Sequence, residues 1–166
     1  MREEFLPIKD FEDSYAVSNY GRVININTDH EVHASFNQQG VLRVNLVRAS
    51  RVYNRSVNLL VIHAFDPHWS ERFNSVINID GDRGNNHISN LAARPRWFTV
   101  RYNRMFVPGY TASYKGPVRD VATGEVYPNS LVVAKTFGLI DAQVREAMLS
   151  RTFVFPTNQM FEEVEV

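Results

Sequence analysis

The chain has 166 residues, 44% of them hydrophobic and 22% charged, which is typical of a folded protein with one ordinary domain or two or three small modules. It contains no cysteine, so disulfide bonds and thiolate zinc sites are excluded. No apolar run approaches membrane-spanning length and no signal peptide is recognisable, so we expect a cytoplasmic protein with no membrane partner.

Acidic and basic residues are equal in number, 18 of each, but they are segregated along the chain. No aspartate or glutamate occurs between Val32 and Phe65, or between Arg83 and Arg119. Acidic residues are instead concentrated near the two ends. Arginine-rich stretches without acids suit phosphate contacts, so the distribution favours a nucleic-acid partner despite the zero net charge.

Residues 15–24 predict two β-strands joined by a tight turn. The alternation of Tyr15 and Val17 indicates the first strand, and residues 19–21 form the turn. Gly21 is expected to supply the backbone conformation of this turn, because glycine accepts a positive φ. Arg22 beside it is a candidate phosphate contact.

Residues 42–57 predict a β-hairpin with a turn across residues 48–50. Leu42, Val44 and Leu46 share one face of the first strand by alternation, so that face should be buried. The opposite face is predicted to be polar, and it would carry Arg43, Asn45 and several of Arg48, Arg51 and Arg55.

A short buried helix is predicted over residues 58–65, and Asp66-Pro67 should end it because proline cannot continue the helical hydrogen bonds. Trp69 and Phe73 are expected to cover its end. His63 lies within the apolar run and is predicted to be a packed core residue, whereas His68 lies in the following loop.

Residues 76–91 predict a strand, a turn and a short helix. The β-branched residues of Val76–Ile79 favour a strand, and Asp80-Gly81 is a hairpin-turn signal. Asn85 or Asn86 is then expected to cap a helix that ends near residues 90–91. His87 should lie on the solvated side of the start of that helix.

Residues 97–114 alternate aromatic and basic side chains, a pattern that suits nucleic acid. Pro108-Gly109 and Gly116-Pro117 punctuate this part of the chain. Trp97 and Phe98 are equally compatible with a packed core. Tyr110 and Tyr114 favour the nucleic-acid interpretation.

Residues 117–151 predict two short strands, at residues 118–121 and 126–127, and then two helices. Asn129 or Ser130 should cap the first helix and Asp141 the second. Ala134, Gly138 and Val144 have the spacing of a helix-turn-helix: a small residue, a glycine at the turn and an apolar residue. The outward-facing residues of the second helix are candidate base readers in a major groove: Gln143, Arg145 and Glu146.

The last residues, 152–166, combine an apolar run with acids. Two interpretations stay open: a strand that packs back on the domain, or a tail that binds a partner.

Three stretches resemble the phage intron-type HNH homing endonucleases, in the order in which that family carries them. Residues 18–23, Ser-Asn-Tyr-Gly-Arg-Val, are similar to the small nuclease-associated modular domain that precedes the HNH domain. Residues 117–151 resemble the helix-turn-helix repeat at the C-terminus of such nucleases. The HNH domain itself is similar to a third stretch, which has a short insert around residues 92–96. The matching residues are Ile79-Asp80-Gly81, Asn85-Asn86, Asn90-Leu91, Trp97, Thr99 and Asn103.

The resemblance implies an α+β fold with a small N-terminal antiparallel β module, a ββα-metal (HNH-like) core, and a C-terminal β-hairpin plus helix-turn-helix. The implied segments are a nuclease-associated β module (1–50), the HNH-like ββα domain (51–106), an extended linker (107–116), the helix-turn-helix repeat (117–151) and a C-terminal tail (152–166). The resemblance also implies a helix that begins near Trp97.

The chain departs from the family at its reactive positions. The family's general-base His falls on Asn78, the metal ligand just before it falls on Ile77, and a further His falls on Asn58. Asn cannot take a proton near neutral pH, and Ile cannot ligate a hard cation. Asn103 remains as a metal ligand only if a site persists, and Asn90 keeps its structural place. We therefore predict a degenerate catalytic site with no cofactor, and Mg²⁺ only if nuclease activity remains.

The leading hypothesis is a double-stranded-DNA-binding protein derived from an HNH homing endonuclease whose catalytic centre is lost. It would be a phage-encoded regulator or accessory subunit in the cytoplasm of an infected bacterium, and it could join a phage or host protein complex. The candidate DNA contacts are Arg22, Arg43, Arg51, Arg55, Arg94, Arg96, Arg101, Arg104, Lys115, Gln143 and Arg145.

Two alternatives stay open. The chain could be an active Mg²⁺-dependent nicking endonuclease whose base has moved to His87 or His63. It could also be a protein-binding or virion-associated module that reuses the fold, as the neutral charge and acidic tail allow.

Overall fold

The structure is a computed structural model that describes residues 2–165. The chain divides after Arg96 into two compact units, and each is described by itself. Both units contain helices and small antiparallel sheets, so the predicted α+β class is confirmed. The limits of the five predicted segments remain a prediction. Within the described residues, no helix has the length and apolar character needed to cross a membrane.

The first sheet pairs four short strands in chain order: β1 (Phe5–Pro7), β2 (Tyr15–Ser18), β3 (Val23–Asn25) and β4 (His30–Glu31). The predicted hairpin is confirmed in β2 and β3, which pair antiparallel with Val17 opposite Val23. β1 and β4 have only three and two residues, too few to give a recognisable alternation in the sequence.

The second sheet has the order β5 (Ala34–Phe36), β6 (Leu42–Arg48) and β7 (Arg51–Ser56). The predicted hairpin is confirmed, and its turn consists of Ala49 and Ser50, both with positive φ. Two positive φ values are the geometry of the two-residue turns whose twist matches that of the strands.

The register of this hairpin contradicts one prediction about its faces. Val44 pairs with Arg55, and Arg48 pairs with Arg51. Directly opposite residues share a face, so Arg48, Arg51 and Arg55 lie on the side of Val44 and not beside Arg43. The prediction was wrong because a two-residue turn, rather than a three-residue one, sets which residues oppose each other.

Helix α1 (Val57–Phe65) confirms the predicted buried helix, and it ends at Asp66. The prediction that His63 is a core residue is wrong, since His63 is exposed. The buried residues of α1 are Val57, Leu60, Val61 and Ile62. An apolar run in the sequence does not show which of its positions face the core, and the helix places His63 at the surface. The core of the first unit lies between α1 and the sheets and contains Ile8, Phe11, Tyr15, Val17, Val23, Val44, Leu46, Val57, Leu60, Val61, Ile62, Val76, Leu91 and Ala93.

Strands β8 (Ser75–Asn78) and β9 (Leu91–Arg94) form a two-stranded antiparallel ribbon. The helix predicted between residues 85 and 91 is absent. A single 3-10 turn, Ile88–Asn90, stands in its place and is capped by His87. Residues 92–94 of the predicted insert belong to β9, in which Ala93 pairs with Val76.

The second unit begins with α2 (Arg96–Arg104), which confirms the predicted helix. A three-stranded antiparallel sheet follows in the order β11 (Val126–Tyr127), β10 (Val118–Asp120) and β12 (Phe161–Glu163). Of the C-terminal residues, β12 packs back on the unit as a strand that pairs with β10.

Helices α3 (Ser130–Phe137) and α4 (Asp141–Ser150) are joined by a turn of three residues. Asn129 caps α3, as predicted, because its side chain accepts a hydrogen bond from the backbone N–H of Val132 at 3.0 Å. Gly138 ends α3 in the left-handed conformation with φ +65°. The prediction that Asp141 caps α4 is wrong, since Ile140 occupies the N-cap.

Candidate functional site

The turn after β2 is held by side-chain hydrogen bonds. The Ser18 hydroxyl accepts from the backbone N–H of Tyr20 at 3.2 Å and of Arg22 at 3.0 Å. Asn19 is 2% exposed, and its side chain bonds to the backbone of Arg2 and Glu4. Polar side chains that form hydrogen bonds with the backbone groups of a turn fix its shape.

This turn packs against the loop between β8 and β9. The backbone N–H of Ile88 donates to the carbonyl of Asn19 at 2.8 Å. Gly21 has φ +88°, and a Cβ on it would lie 2.8 Å from the Cβ of Asn86 and 3.2 Å from Cγ1 of Val57. Glycine is therefore required at this position both for its conformation and for the close approach.

Arg22, a predicted phosphate contact, has its charge balanced locally. Its guanidinium donates to Glu3 at 2.8 Å and to Glu31 at 3.0 and 3.1 Å. The hydrogen bonds to Glu31 and then to Glu3 raise the pKa of Arg22 above its ordinary value. A phosphate would have to compete with both carboxylates for this side chain.

The loop from Asn78 to Asn90 contains a network of amides and carboxylates. Asn78 is 4% exposed, and its Nδ2 donates to the carbonyl of Asn85 at 2.8 Å and to Oδ1 of Asn86 at 3.3 Å. Asn90 accepts from the backbone N–H of Asp80 at 3.0 Å and donates to the Asp80 carboxylate at 2.9 Å. Both bonds join the side chain of Asn90 to Asp80.

Asp80 lies at the centre of this network. Its carboxylate also accepts from Nδ2 of Asn85 at 2.7 Å and from the backbone N–H of Asp82 at 2.9 Å. Burial raises the pKa of Asp80, but the hydrogen bonds from Asn85, Asn90 and Asp82 outweigh it and lower that pKa below its ordinary value. The side chains of this loop thus form hydrogen bonds with loop backbone groups. These bonds compete with the backbone hydrogen bonds of a helix, which explains why no regular helix forms here.

The residues that the resemblance assigns to the catalytic positions, Ile77 and Asn78, do not fit a divalent metal. Ile77 is 1% exposed and apolar, so it offers no ligand. The side chain of Asn78 is directed to Asn85 and Asn86, as described above. Among residues 2–165, no three histidines, cysteines, aspartates or glutamates are grouped so that they could hold a metal ion. Asn103, the remaining predicted ligand, lies half-buried on α2 in the second unit.

The histidines considered as a displaced base have other contacts. Nδ1 of His87 lies 2.7 Å from the Ser89 hydroxyl, and the ring packs edge-on against Tyr20 at 4.5 Å between centroids. His63 lies 4.0 Å from the Trp69 ring between centroids. Desolvation of the ring and then the charge of Lys9 lower the pKa of His63 below its ordinary value.

The hairpin β6–β7 forms a ribbon whose outer face carries both polar and apolar side chains. Nδ2 of Asn54 donates to Oδ1 of its partner Asn45 at 2.8 Å. Arg43 lies on the same face, half-buried, and donates to the carbonyl of Asn54 at 3.4 Å. Val47 and Val52 complete this face and are 48% and 65% exposed.

Arginines on the other side of the ribbon are stacked on aromatic rings. The guanidiniums of Arg48 and Arg55 lie 5.6 and 5.3 Å from the Tyr53 ring centre, and 5.4 and 5.9 Å from that of Phe11. Arg48, Arg51 and Arg55 are exposed and have no carboxylate partner within residues 2–165. Stacking orders Arg48 and Arg55 without neutralising them. Sequence reasoning missed Phe11 and Tyr53, because residues so distant in the chain meet only in the folded sheet.

The predicted DNA contacts around α2 differ in exposure. Arg96, Arg101 and Arg104 are exposed, and Arg101 lies 5.6 Å from the ring centre of Trp97. Arg94 is only 9% exposed, and its Nη1 donates to the carbonyl of Ala93. Lys115 is exposed. Phe98, which the sequence left open, is fully buried.

Asp141 is a buried residue whose role the sequence did not reveal. Its carboxylate accepts from the Ser113 backbone N–H at 2.8 Å, the Ser113 hydroxyl at 2.6 Å and the Tyr110 hydroxyl at 3.1 Å, and also from Ser130. Burial and then the charge of Asp141 raise the pKa of Tyr110. The segment predicted as a linker is thus bonded to the start of α4, and Tyr110 is engaged within the unit.

The outer face of α4 carries the candidate base readers. Val144 and Met148 are buried, as the spacing predicts. Arg145 and Glu146 are exposed, and Arg145 has no carboxylate partner among residues 2–165. Gln143 is half-buried, and its Oε1 receives no hydrogen bond from the described residues.

Residues 3–47 match a sequence family described as the NUMOD4 motif. This range covers the first sheet, β5 and most of β6, so it includes the turn that packs on the β8–β9 loop. A search of curated proteins finds no significant match to the sequence.

The fold is similar to a solved structure that describes DNA binding and cleavage by the HNH homing endonuclease I-HmuI. The TM-score is 0.56 and the identity 21%, and the match covers 98% of this chain and 99% of that one. The predicted resemblance to the HNH homing endonucleases is thereby confirmed in one motif and in the overall fold. This chain carries an N-terminal NUMOD4 motif and has the fold of an HNH homing endonuclease.

Proposed function

We propose that this protein binds double-stranded DNA through the surface of an HNH homing endonuclease fold, and that its own catalytic centre is lost. The observation that carries the proposal is the closed network at the family's catalytic positions, where Asn78 donates to Asn85 and Asn86 beside a buried Ile77. Hydrolysis of a phosphodiester needs a base and, in this family, a metal, and these residues supply neither.

DNA binding is supported by exposed cations that carboxylates do not neutralise. Phosphate contacts by such side chains give most of the affinity of a protein for DNA, independent of sequence. The exposed members of the predicted set, without carboxylate partners among residues 2–165, are Arg51, Arg55, Arg96, Arg101, Arg104, Lys115 and Arg145. Arg22 would contribute less to DNA affinity, because Glu3 and Glu31 already form ion pairs with it.

Base readout is proposed for two elements. A two-stranded ribbon fits the major groove, and the outer face of β6–β7 presents the amides of Asn45 and Asn54 beside Arg43. Helices α3 and α4 would form a helix-turn-helix, with Arg145 and Gln143 of the second helix directed to base edges. Gln143 would have to turn out of its half-buried position to do so.

The finer assignments follow from the same resemblance. The segments are the nuclease-associated β module (1–50), the HNH-like ββα domain (51–106), a linker (107–116), the helix-turn-helix (117–151) and the tail (152–166). The protein would be phage-encoded and act in the bacterial cytoplasm as a regulator or accessory subunit, with a phage or host protein complex as a further partner.

The test is a pair of assays on supercoiled plasmid. A mobility shift is measured with EDTA present, and nicking is measured with Mg²⁺ or Mn²⁺. We expect a shift without nicking, and we expect the variant with Ile77→Asn and Asn78→His to gain nicking activity. Nicking by the unchanged protein that substitution of His87 or His63 abolishes would instead establish an active enzyme with a displaced base.

A further inference from the structure

The second unit contains a groove of about 610 Å³ between the C-terminal end of α4 and strand β12. Leu149 and Val121 in its lining are 56% and 48% exposed, so apolar surface is open to solvent there. Exposed apolar grooves with polar rims mark interaction sites in soluble proteins. The apolar lining consists of Val121, Met148, Leu149, Met160 and Phe161.

The groove follows an open strand edge. Successive side chains of a strand point to opposite faces, yet Phe161, Glu162 and Glu163 all line the groove. The groove therefore runs along the edge of β12 and not over one face of its sheet. Within residues 2–165, β12 pairs with β10 alone, so its other edge leaves backbone N–H and C=O groups for an additional strand.

The charge of the groove selects against DNA. Three glutamates and one arginine line it: Glu162, Glu163, Glu165 and Arg151. Glu162 is paired with Arg119 at 2.9 Å, but Glu163 and Glu165 form no ion pair among the described residues. An acidic rim repels phosphate and attracts cationic side chains.

We propose that this groove binds an extended basic segment of a partner protein, which adds as a strand to the open edge of β12. Main-chain hydrogen bonds would give affinity, apolar side chains would contact Leu149 and Val121, and lysines or arginines would face Glu163 and Glu165. The site does not depend on the DNA-binding proposal. Because its charge is opposite to that of the arginine surfaces, this groove recruits a protein and not nucleic acid.

The experiment uses the full chain and a short fluorescent peptide of alternating lysine and valine, with binding followed by anisotropy. One control peptide replaces lysine by glutamate, and another is N-methylated at alternate residues so that it cannot donate strand hydrogen bonds. We expect binding of the lysine peptide and at least about 10-fold weaker binding of both controls.

Variants locate the binding. Glu163→Gln with Glu165→Gln should weaken the lysine peptide about 5-fold, with most of the loss seen at low salt. The matched variant, Glu4→Gln with Glu71→Gln, removes two exposed glutamates of the first unit and should change nothing. Failure of the lysine peptide to bind, or binding that the groove variant leaves unchanged, would overturn the proposal. If the chain alone forms dimers and the groove variant dissociates them, the occupant of the groove is a second copy of the chain and not a partner protein.

Discussion

The loop from Asn78 to Asn90 and the ribbon formed by β6 and β7 lie in the same unit. They differ in whether their polar side chains are bonded to other groups of the protein. In the loop, amide and carboxylate side chains bond to one another and to the loop backbone. On the ribbon, Arg51 and Arg55 are exposed and have no carboxylate partner within residues 2–165. A closed network stabilises the fold, whereas an open cationic surface is available to a polyanion. The comparison separates the part of the fold that holds it together from the part that is free to bind.

The largest expected effect concerns the turn after β2, which lies within the NUMOD4 motif and packs on the loop between β8 and β9. Gly21→Ala should lower the free energy of unfolding by about 3 kcal/mol, because alanine is strained at φ +88° and its Cβ would meet the Cβ of Asn86 at 2.8 Å. Urea unfolding measures the loss.

Gly40→Ala is the matched control in the same unit. Its φ is +72°, but the nearest atom to a new Cβ is on the flexible Arg83 side chain at 3.6 Å, so about 1 kcal/mol is expected. Equal losses in the two variants would mean that the turn gains nothing from its contact with the loop.

The second prediction tests whether the loop network is structural. Asn78→Ala removes the donor that Asn85 and Asn86 share, and it should cost about 2 kcal/mol of unfolding free energy. Asn74→Ala, an exposed position four residues earlier, should stay within about 0.5 kcal/mol of the unchanged protein. Unaltered stability in Asn78→Ala would contradict the structural role of the network.

The third prediction concerns the ribbon. Arg55→Ala should weaken DNA binding about 5-fold and reduce the dependence of log affinity on log salt by about one unit, because one phosphate contact is lost. Arg119→Ala removes a cation that Glu162 already neutralises, so a loss of about 2-fold or less is expected. Anisotropy titrations at several salt concentrations distinguish the two. If both variants lose the same affinity, the contrast between open and neutralised cations has no bearing on binding.

The smallest effect is a pH dependence in the loop. The pKa of Asp80 lies below its ordinary value, so its charged form stabilises the folded state. That contribution is present above the pKa of the unfolded chain and is lost as pH falls through the lower folded pKa. Unfolding measured below about pH 4 should therefore depend less on pH in Asp80→Asn than in the unchanged protein. If the free energy of unfolding of the two proteins depends equally on pH in this acid range, Asp80 does not contribute to the pH dependence.

Local signals predicted several elements correctly. Gly21 and Gly138 both adopt the positive φ that turns require. Val44 and Leu46 are buried and Asn45 between them is exposed, as the alternation predicts. Asn129 caps α3 through its own side chain, which is a contact within one helical turn. Such features depend on a few neighbouring residues, so the sequence is sufficient to predict them.

Other features depend on contacts between distant residues. Ala92 and Ala93 carry little strand propensity, and β9 forms there because it pairs with β8. Asp141 has the sequence position of a cap, but Ser113 and Tyr110, far away in the chain, bind its carboxylate. At the candidate site, the sequence shows Ile77 and Asn78 at the positions that the resemblance assigns to catalysis, but it does not reveal the network that Asn78 joins.

The most direct test of the central claim is the plasmid assay with the purified full chain. We expect a mobility shift that persists in EDTA and weakens as salt rises, together with no nicking in Mg²⁺ or Mn²⁺. Metal-dependent nicking by the unchanged protein would contradict it, because the closed network around Asn78 would then coexist with an active centre.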